Sequence, residues 1–392
     1  MSKNIFLTGV TSRLGINFFT KLLLETDHKL FILIRRKPEQ LDLDKRLADS
    51  LLIQNAHIDL SKYRNRYEII KGDLDKNQIG IDDEVYERLK QFGVHEVWHL
   101  AAYSDRKMAT KDRLFRTNIN GTLKLLTFSK ELGVHCFTYV GMLYAESLTE
   151  VEVKETDVIS LCQFNSISEF TKKIAERTVR DFCQKSGMCY RILRPGLIID
   201  FDNLVNIENA WYYHMFHTLF SIREGCKAVY GKHYFEQHAL RVLAKDVTIY
   251  IAKIGYLSSM MVAMLDDEET YGKVFNLHSC IFSFNELATM LITRTLTFKR
   301  IEQVAGLQEM PYLQRHYYER SLATLAYLGQ NRVVFADNAE VVEGKYNIKK
   351  TPIDGDEVAR LAKACDVIFL KNVQVQIPHG FKKLFIRIFH AG

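Results

Sequence analysis

The sequence predicts an α/β fold, doubly wound about a parallel sheet, with a smaller C-terminal lobe. Three observations carry this. Through residues 1–200 short apolar runs alternate with stretches of helical periodicity, the pattern of βαβ units. The first apolar run ends in a glycine loop that opens a helix. At 392 residues, 47% hydrophobic and 26% charged, the chain has ordinary globular composition and length for one large domain with an accessory lobe.

The elements follow in order. Ile5–Thr8 reads as the first strand and Leu14–Glu25 as a helix with Leu14, Phe18 and Leu22 on one face. Leu30–Ile34 and Glu68–Lys71 are the next strands. Asp82–Phe92 is a helix whose acidic start suits the positive end of its dipole. Glu96–Ala101 is the fourth strand, and Asn118–Leu132 a helix closed by Gly133. Cys136–Val140, a helix over Glu169–Gln184 and a strand over Tyr190–Leu193 complete the series. After Pro195 the pattern loosens. The aromatic stretch Ala210–Phe220 reads as a core helix rather than a pocket cover. Val274–Leu277 is a late strand, and Phe284–Thr293 a helix capped by Ser283.

The loop Thr8-Gly9-Val10-Thr11-Ser12-Arg13-Leu14-Gly15 sits between strand and helix, the setting of a dinucleotide site. Gly9 suits the tight turn and Gly15 a close approach of helix to sheet. The helix N-terminus offers free N–H groups to a pyrophosphate. Ser12 stands where the G-x-x-G-x-x-G spacing has another glycine. The second strand ends in Ile34-Arg35-Arg36-Lys37. An acid at that point would bind a ribose 2′-hydroxyl, whereas arginines match a 2′-phosphate. NADP(H) is therefore expected over NAD(H). Gly72-Asp73-Leu74 follows the third strand, where a carboxylate suits the adenine amino group; a turn aspartate is the plainer alternative.

These residues carry a resemblance. Joined by His99-Leu100-Ala101-Ala102, Asn118-x-Asn120-Gly121-Thr122, Phe137-x-Tyr139-Val140, Arg194-Pro195-Gly196-Leu197-Ile198 and Arg241-Val242 with Asp246-Val247, they appear in the order of an extended short-chain dehydrogenase/reductase over about residues 1–280. The chain most resembles the thioester reductase and fatty acyl-CoA reductase (male-sterility-like) branch. Thr171-Lys172-x-x-x-Glu176, Pro311-Tyr312-Leu313 and Val334-Phe335-x-Asp337-Asn338 lean that way.

The resemblance implies a Rossmann domain over 1–200, rejoined by strands and helices from about 240–280. It implies a substrate lobe of 201–240 and 281–392. Gly9, Thr11, Ser12, Arg13, Leu14 and Gly15 would line the pyrophosphate, and Arg35 and Arg36 the 2′-phosphate. Asp73 and Leu74 would meet adenine. Ala101 and Ala102 would border the ribose side, Lys172 the nicotinamide ribose, and Pro195, Gly196, Leu197 and Ile198 the nicotinamide, with Tyr103, Asn118 and Val140 also in the cofactor site. The implied activity is NADPH-dependent reduction of a carrier- or CoA-bound acyl thioester or a derived carbonyl.

The catalytic set departs from the family pattern. The chemistry uses a Tyr that exchanges the proton, a Lys one turn later, and a Ser or Thr after the fifth strand. Lys172 matches the lysine, but Ser168 stands in place of the tyrosine, and Gly141 and Met142 in place of the hydroxyl. Tyr144 and Tyr103 are neighbouring phenols. Y-x-x-x-K also occurs at Tyr86 to Lys90 and Tyr346 to Lys350, away from the relevant helix. The alternative is a redox-inactive member, either a thioester condensing or cyclising enzyme or an NADP-sensing scaffold.

Other classes are disfavoured. The formal charge is +6, without a long basic run, which argues against nucleic acid. No metal is expected: the seven cysteines form no C-x-x-C, and His214, His217, His233 and His238 lack H-E-x-x-H spacing. No G-x-S-x-G elbow marks a hydrolase. No secretory signal or membrane span is seen, so a cytoplasmic protein with reduced thiols is expected. The stretch from Lys371 carries four basic and no acidic residues, and Phe381 to Phe389 within it is apolar and basic. A helix packed on its own domain is favoured there over weak contact of 381–390 with a membrane or partner.

Overall fold

A computed structural model describes residues 2–35, 48–49, 60–103, 110–146, 151–156, 164, 166–204, 207, 210–243, 247–283, 286, 289–290, 298, 300–325 and 331–372. The chain divides into two compact units. The first holds Met1–Asn203, Ile251–Ser279 and Arg332–Thr351; the second holds Leu204–Tyr250, Cys280–Asn331 and Pro352–Gly392.

The first unit is built on seven parallel strands: β1 (Asn4–Thr8), β2 (Lys29–Ile34), β3 (Tyr67–Lys71), β4 (Glu96–His99), β5 (Cys136–Val140), β6 (Cys189–Pro195) and β7 (Lys273–Leu277). Their order across the sheet is β7-β6-β5-β4-β1-β2-β3. The chain winds outward from β1 through β2 and β3, then returns to start again at β4. The expected doubly wound α/β fold is the one observed. β4 ends at His99, two residues earlier than expected.

The faces follow from strand alternation. Ile5, Leu7, Leu30, Ile32, Ile34 and Trp98 point into one core with helices α1 (Arg13–Glu25), α5 (Ile254–Leu265) and α6 (Asp337–Tyr346). Phe6, Phe31, Leu33, Val97, Phe137 and Tyr139 point into the other, with α2 (Asp83–Phe92), α3 (Gly121–Glu131) and α4 (Ile167–Ser186). Helices on both faces explain why the strands read as continuous apolar runs. The helix expected from Asn118 starts at Lys111 and passes through a π turn, Phe115–Asn120, before α3. Residues 332–351, grouped with the C-terminal lobe from the sequence, belong instead to the first unit. The short strand Val333–Val334 pairs there with Glu152–Val153, and Ala336, Ala339 and Val342 join its core.

In the second unit the aromatic helix Trp211–Tyr230 packs against Tyr312–Leu325 and Gly355–Asn372. Phe216 and Phe220 are buried and stacked, and Phe220 meets Phe369. This stripe is core. Strands Leu240–Leu243 and Ile301–Val304 pair in parallel. Most of the expected helix at 284–293 lies outside the described residues, as do Arg36, Asp246 and the segment 381–390. Among the described residues no helix is long and apolar enough to cross a membrane, and no group of His, Cys, Asp or Glu is placed to hold a metal.

Candidate functional site

Sterics build the glycine turn. Gly9 follows β1 at φ +78°, in the left-handed region. A Cβ there would stand 2.5 Å from the Ala101 nitrogen; one on Gly15 would stand 2.1 Å from the Gly9 carbonyl oxygen. Neither position has room for a side chain. The Ser12 amide donates to the Gly9 carbonyl (3.0 Å), and its hydroxyl accepts from the Gly15 amide (3.0 Å). The residue that breaks the glycine spacing is thus the N-cap of α1.

Beyond this turn a cleft of about 260 Å³ opens at the carboxyl ends of β1 to β4. Thr11, Arg35, Asp73, Leu74, Ala102 and Tyr103 are on its wall. This is the point where strand order reverses, the place open α/β sheets use for ligands. Arg35 is exposed at the end of β2. Asp73 accepts from the Asp75 amide (3.0 Å), a turn role, while lining the cleft. Arg13 donates to the Asn203 carbonyl (2.9 Å), and Leu14 is buried in the core. Asp75, not singled out by sequence, also lines the cleft; it accepts from the Thr117 hydroxyl (2.8 Å) and faces Arg116 (3.4 Å).

A buried chain of hydrogen bonds fixes the loop after β4. The Ala101 amide donates to Thr8 Oγ1 (3.3 Å), and Thr8 Oγ1 lies 2.7 Å from His99 Nδ1. His99 Nε2 lies 3.0 Å from Thr122 Oγ1, which donates to the Asn118 carbonyl (2.6 Å). That last bond uses the Thr122 proton, so His99 donates from Nε2 and accepts at Nδ1 from Thr8. Burial, with Lys172 adding to it, lowers the imidazole pKa to about 3, so the ring is neutral. The Asn118 side chain accepts from the Tyr103 amide (2.7 Å) and donates to the Tyr103 carbonyl (3.1 Å) and Thr171 Oγ1 (3.1 Å). It ties the cleft loop to α4 from within a π turn, a distortion frequent at functional sites.

Two adjacent lysines on α4 have opposite surroundings. Lys173 is fully buried and paired with Glu146 (2.6 Å) and Glu176 (3.3 Å). Arg194 completes this set, donating from Nε to Glu176 (3.0 Å) and lying 3.1 Å from Glu146. Burial alone would raise the Glu176 carboxyl; the Arg194 and Lys173 charges hold it well below the usual carboxylate range. Lys172 is half-buried and donates to the Val140 carbonyl (3.1 Å) at the end of β5. Among the described residues no carboxylate pairs with it. Burial lowers its pKa to about 8.

Residues 7–225, more than half of the chain, match the profile of the male sterility protein family, an NAD-binding domain. The chain belongs to this family. A curated relative is the nonribosomal peptide synthetase-like enzyme fsqF of Aspergillus fumigatus, 26% identical over 202 residues. That match covers 50% of this chain and 13% of the relative, so the chain spans a small part of its length. The terminal R domain from the myxalamid PKS-NRPS pathway superposes with a TM-score of 0.72 at 17% identity, covering 95% of this chain and 92% of that one. A thiolation-reductase di-domain from an archaeal nonribosomal peptide synthetase gives 0.71 at 16%, covering 94% and 76%. At such identities these two show a shared fold.

In this member of the male sterility protein family the remaining expected residues fall around α4 and β6. Ser168 is half-buried in the first turn of α4, and its carbonyl accepts from the Thr171 hydroxyl (3.0 Å). The Gly141 amide donates to Leu193, and Met142 precedes the turn Leu143–Ala145, which packs on α4 and buries Tyr144. Pro195 ends β6, the Gly196 amide donates to Leu277, and Leu197–Ile199 pairs with 251–253. Sequence reasoning missed the Glu146–Lys173–Glu176–Arg194 cluster. A buried charge set drawn from segments far apart in the chain has no local signal.

Proposed function

We propose that the chain binds NADP(H) in the cleft at the ends of β1 to β4 and reduces a carrier- or CoA-bound acyl thioester. The observation that carries this is the cradle: Gly9 and Gly15 have no space for a Cβ, and the capped start of α1 opens beside Arg35. The cradle fits a pyrophosphate, held by Thr11, Ser12 and Arg13 with Gly9, Leu14 and Gly15 shaping the turn. Arg35 and Arg36 suit a 2′-phosphate by charge and geometry. Asp73 and Leu74 border adenine; Ala101, Ala102, Tyr103, Asn118 and Val140 border the ribose side. Lys172 reaches the nicotinamide ribose, and Pro195 to Ile198 close the far wall.

When bound, NADPH supplies a hydride. A thioester is the substrate class that best suits a chain with Ser168 at the usual tyrosine position. Its leaving group is a thiolate, which needs less proton donation than an alkoxide. The fold shared with the R domain and the thiolation-reductase di-domain supports a carrier-bound acyl group.

The second reading is a redox-inactive member that condenses or cyclises a thioester or senses NADP. Gly141, Met142 and Ser168 favour it, because none of them supplies a phenol or the usual hydroxyl. Titration of the full chain with NADPH and NADH by intrinsic fluorescence, followed by NADPH consumption with acyl thioesters, separates the readings. Binding with turnover supports the reductase. Binding without turnover supports the second reading, and no binding removes both the reductase and the sensor.

A further inference from the structure

We propose that the Lys172 ammonium, in place of a phenol, neutralises and protonates the substrate's carbonyl oxygen; this rests on the reductase reading above. The Lys172 side chain crosses from α4 to the end of β5, where one of its three N–H donors meets the Val140 carbonyl at 3.1 Å. Two donors remain for other acceptors. Its neighbour Lys173 is neutralised by Glu146 and Glu176, whereas no described carboxylate pairs with Lys172. Glu146, from the turn after β5, and Glu176, on α4, both turn to Lys173 and leave Lys172 cationic.

Two neighbouring hydroxyls, those of Ser168 and Tyr139, are poorer proton sources. Ser168 is an aliphatic alcohol and holds its proton too tightly. The Tyr139 phenol donates to the Lys172 carbonyl (3.3 Å), and burial pushes its pKa above the usual range. The titratable groups facing Lys172 leave its charge uncompensated. His99 from β4 and Tyr139 from β5 are neutral, and on α4 the Glu176 charge is held by Lys173 and Arg194. Burial places the Lys172 pKa at about 8, near the range in which a general acid works best.

The step balances. Hydride from the dinucleotide adds to the acyl carbon, and the carbonyl π pair moves onto oxygen. That oxygen takes a proton from the Lys172 ammonium, leaving a neutral amine. The C=O bond then re-forms as the C–S bond breaks. The hydroxyl proton returns to Lys172, and the departing thiolate takes its proton from water. The carbonyl carbon is reduced, the dinucleotide is oxidised, and one solvent proton is consumed.

The test has two arms. In the first, the full chain without cofactor is acetylated competitively across pH and Lys172 is followed by peptide mass spectrometry. Lys172 is expected to gain reactivity near pH 8, well below the exposed lysines. Titration together with the exposed lysines overturns the proposal. In the second arm, turnover uses NADPH and octanoyl-CoA, and NADPH affinity is read separately by fluorescence. Lys172→Met is expected to lower kcat at saturating NADPH about a hundredfold or more, a loss beyond any rise in the NADPH Kd that follows from the lost ribose contact. Lys172→Arg, folded by circular dichroism, is expected to keep NADPH but to lower kcat and lose its alkaline fall near pH 8, because a guanidinium keeps the charge and gives up no proton. A rise in Kd that accounts for the whole loss makes Lys172 a ribose holder and overturns the proposal. So does an alkaline limb that survives Lys172→Arg and vanishes in Tyr144→Phe. No turnover by the unmodified chain overturns the reductase reading with it; turnover with a normally titrating Lys172 overturns this proposal alone.

Discussion

A methyl group on Gly15 would lie 2.1 Å from the carbonyl oxygen of Gly9. The turn after β1 is therefore closed by contact between two backbone segments. Gly15→Ala must push α1 away from that turn. The expected cost is about 1–3 kcal/mol, as for other overpacked sites. Chemical denaturation reads it, and NADPH affinity should fall with it because the cradle widens.

Ser12 predicts a graded outcome. Its hydroxyl caps the Gly15 amide at 3.0 Å. Ser12→Ala should cost about 1 kcal/mol, and Ser12→Gly only a few tenths, because glycine lets water reach the same amide. Urea denaturation of the three proteins checks the order.

The buried charges make a harsher prediction. Lys173→Met leaves Glu146 and Glu176 facing Arg194 with one cation missing. Removing one partner of a buried set costs about 3–5 kcal/mol. Adding Glu146→Gln should restore part of the loss, a coupling that denaturation of the single and double variants measures.

His99 gives the chain an acid sensitivity. Its imidazole has a pKa near 6.5 when unfolded and about 3 when folded. Between these values the unfolded chain binds the extra proton, so stability falls as pH drops from about 6.5 toward 3. His99→Asn should flatten that part of the melting temperature profile, measured by thermal denaturation across pH. An unchanged slope would remove His99 as its source.

The seven strands were legible because both faces of the sheet are covered, which makes each strand a continuous apolar run. The glycine turn was legible because Gly9 and Gly15 answer backbone contacts that no other residue tolerates. Ser12 shows the limit of the spacing rule: it looked like a departure from a glycine pattern and is a helix cap. Lys172 and Lys173 look alike in sequence. Their difference depends on Glu146, which reaches α4 from the turn after β5, and on Arg194 from β6. Asn118 was expected beside the cofactor, but its hydrogen bonds to Tyr103 and Thr171 depend on a π turn that the periodicity hides. Residues 332–351 misled because their return to the first unit rests on a two-residue strand, too short to register as alternation.

We propose that the cleft takes a dinucleotide with a 2′-phosphate. Equilibrium titration of the full chain with NADPH and NADH, repeated with Arg35→Ala, tests it most directly. The account predicts tighter binding of NADPH, with the preference narrowed about tenfold by losing the charge-assisted contact. Binding of neither dinucleotide, or tighter binding of NADH that Arg35→Ala leaves unchanged, would contradict it.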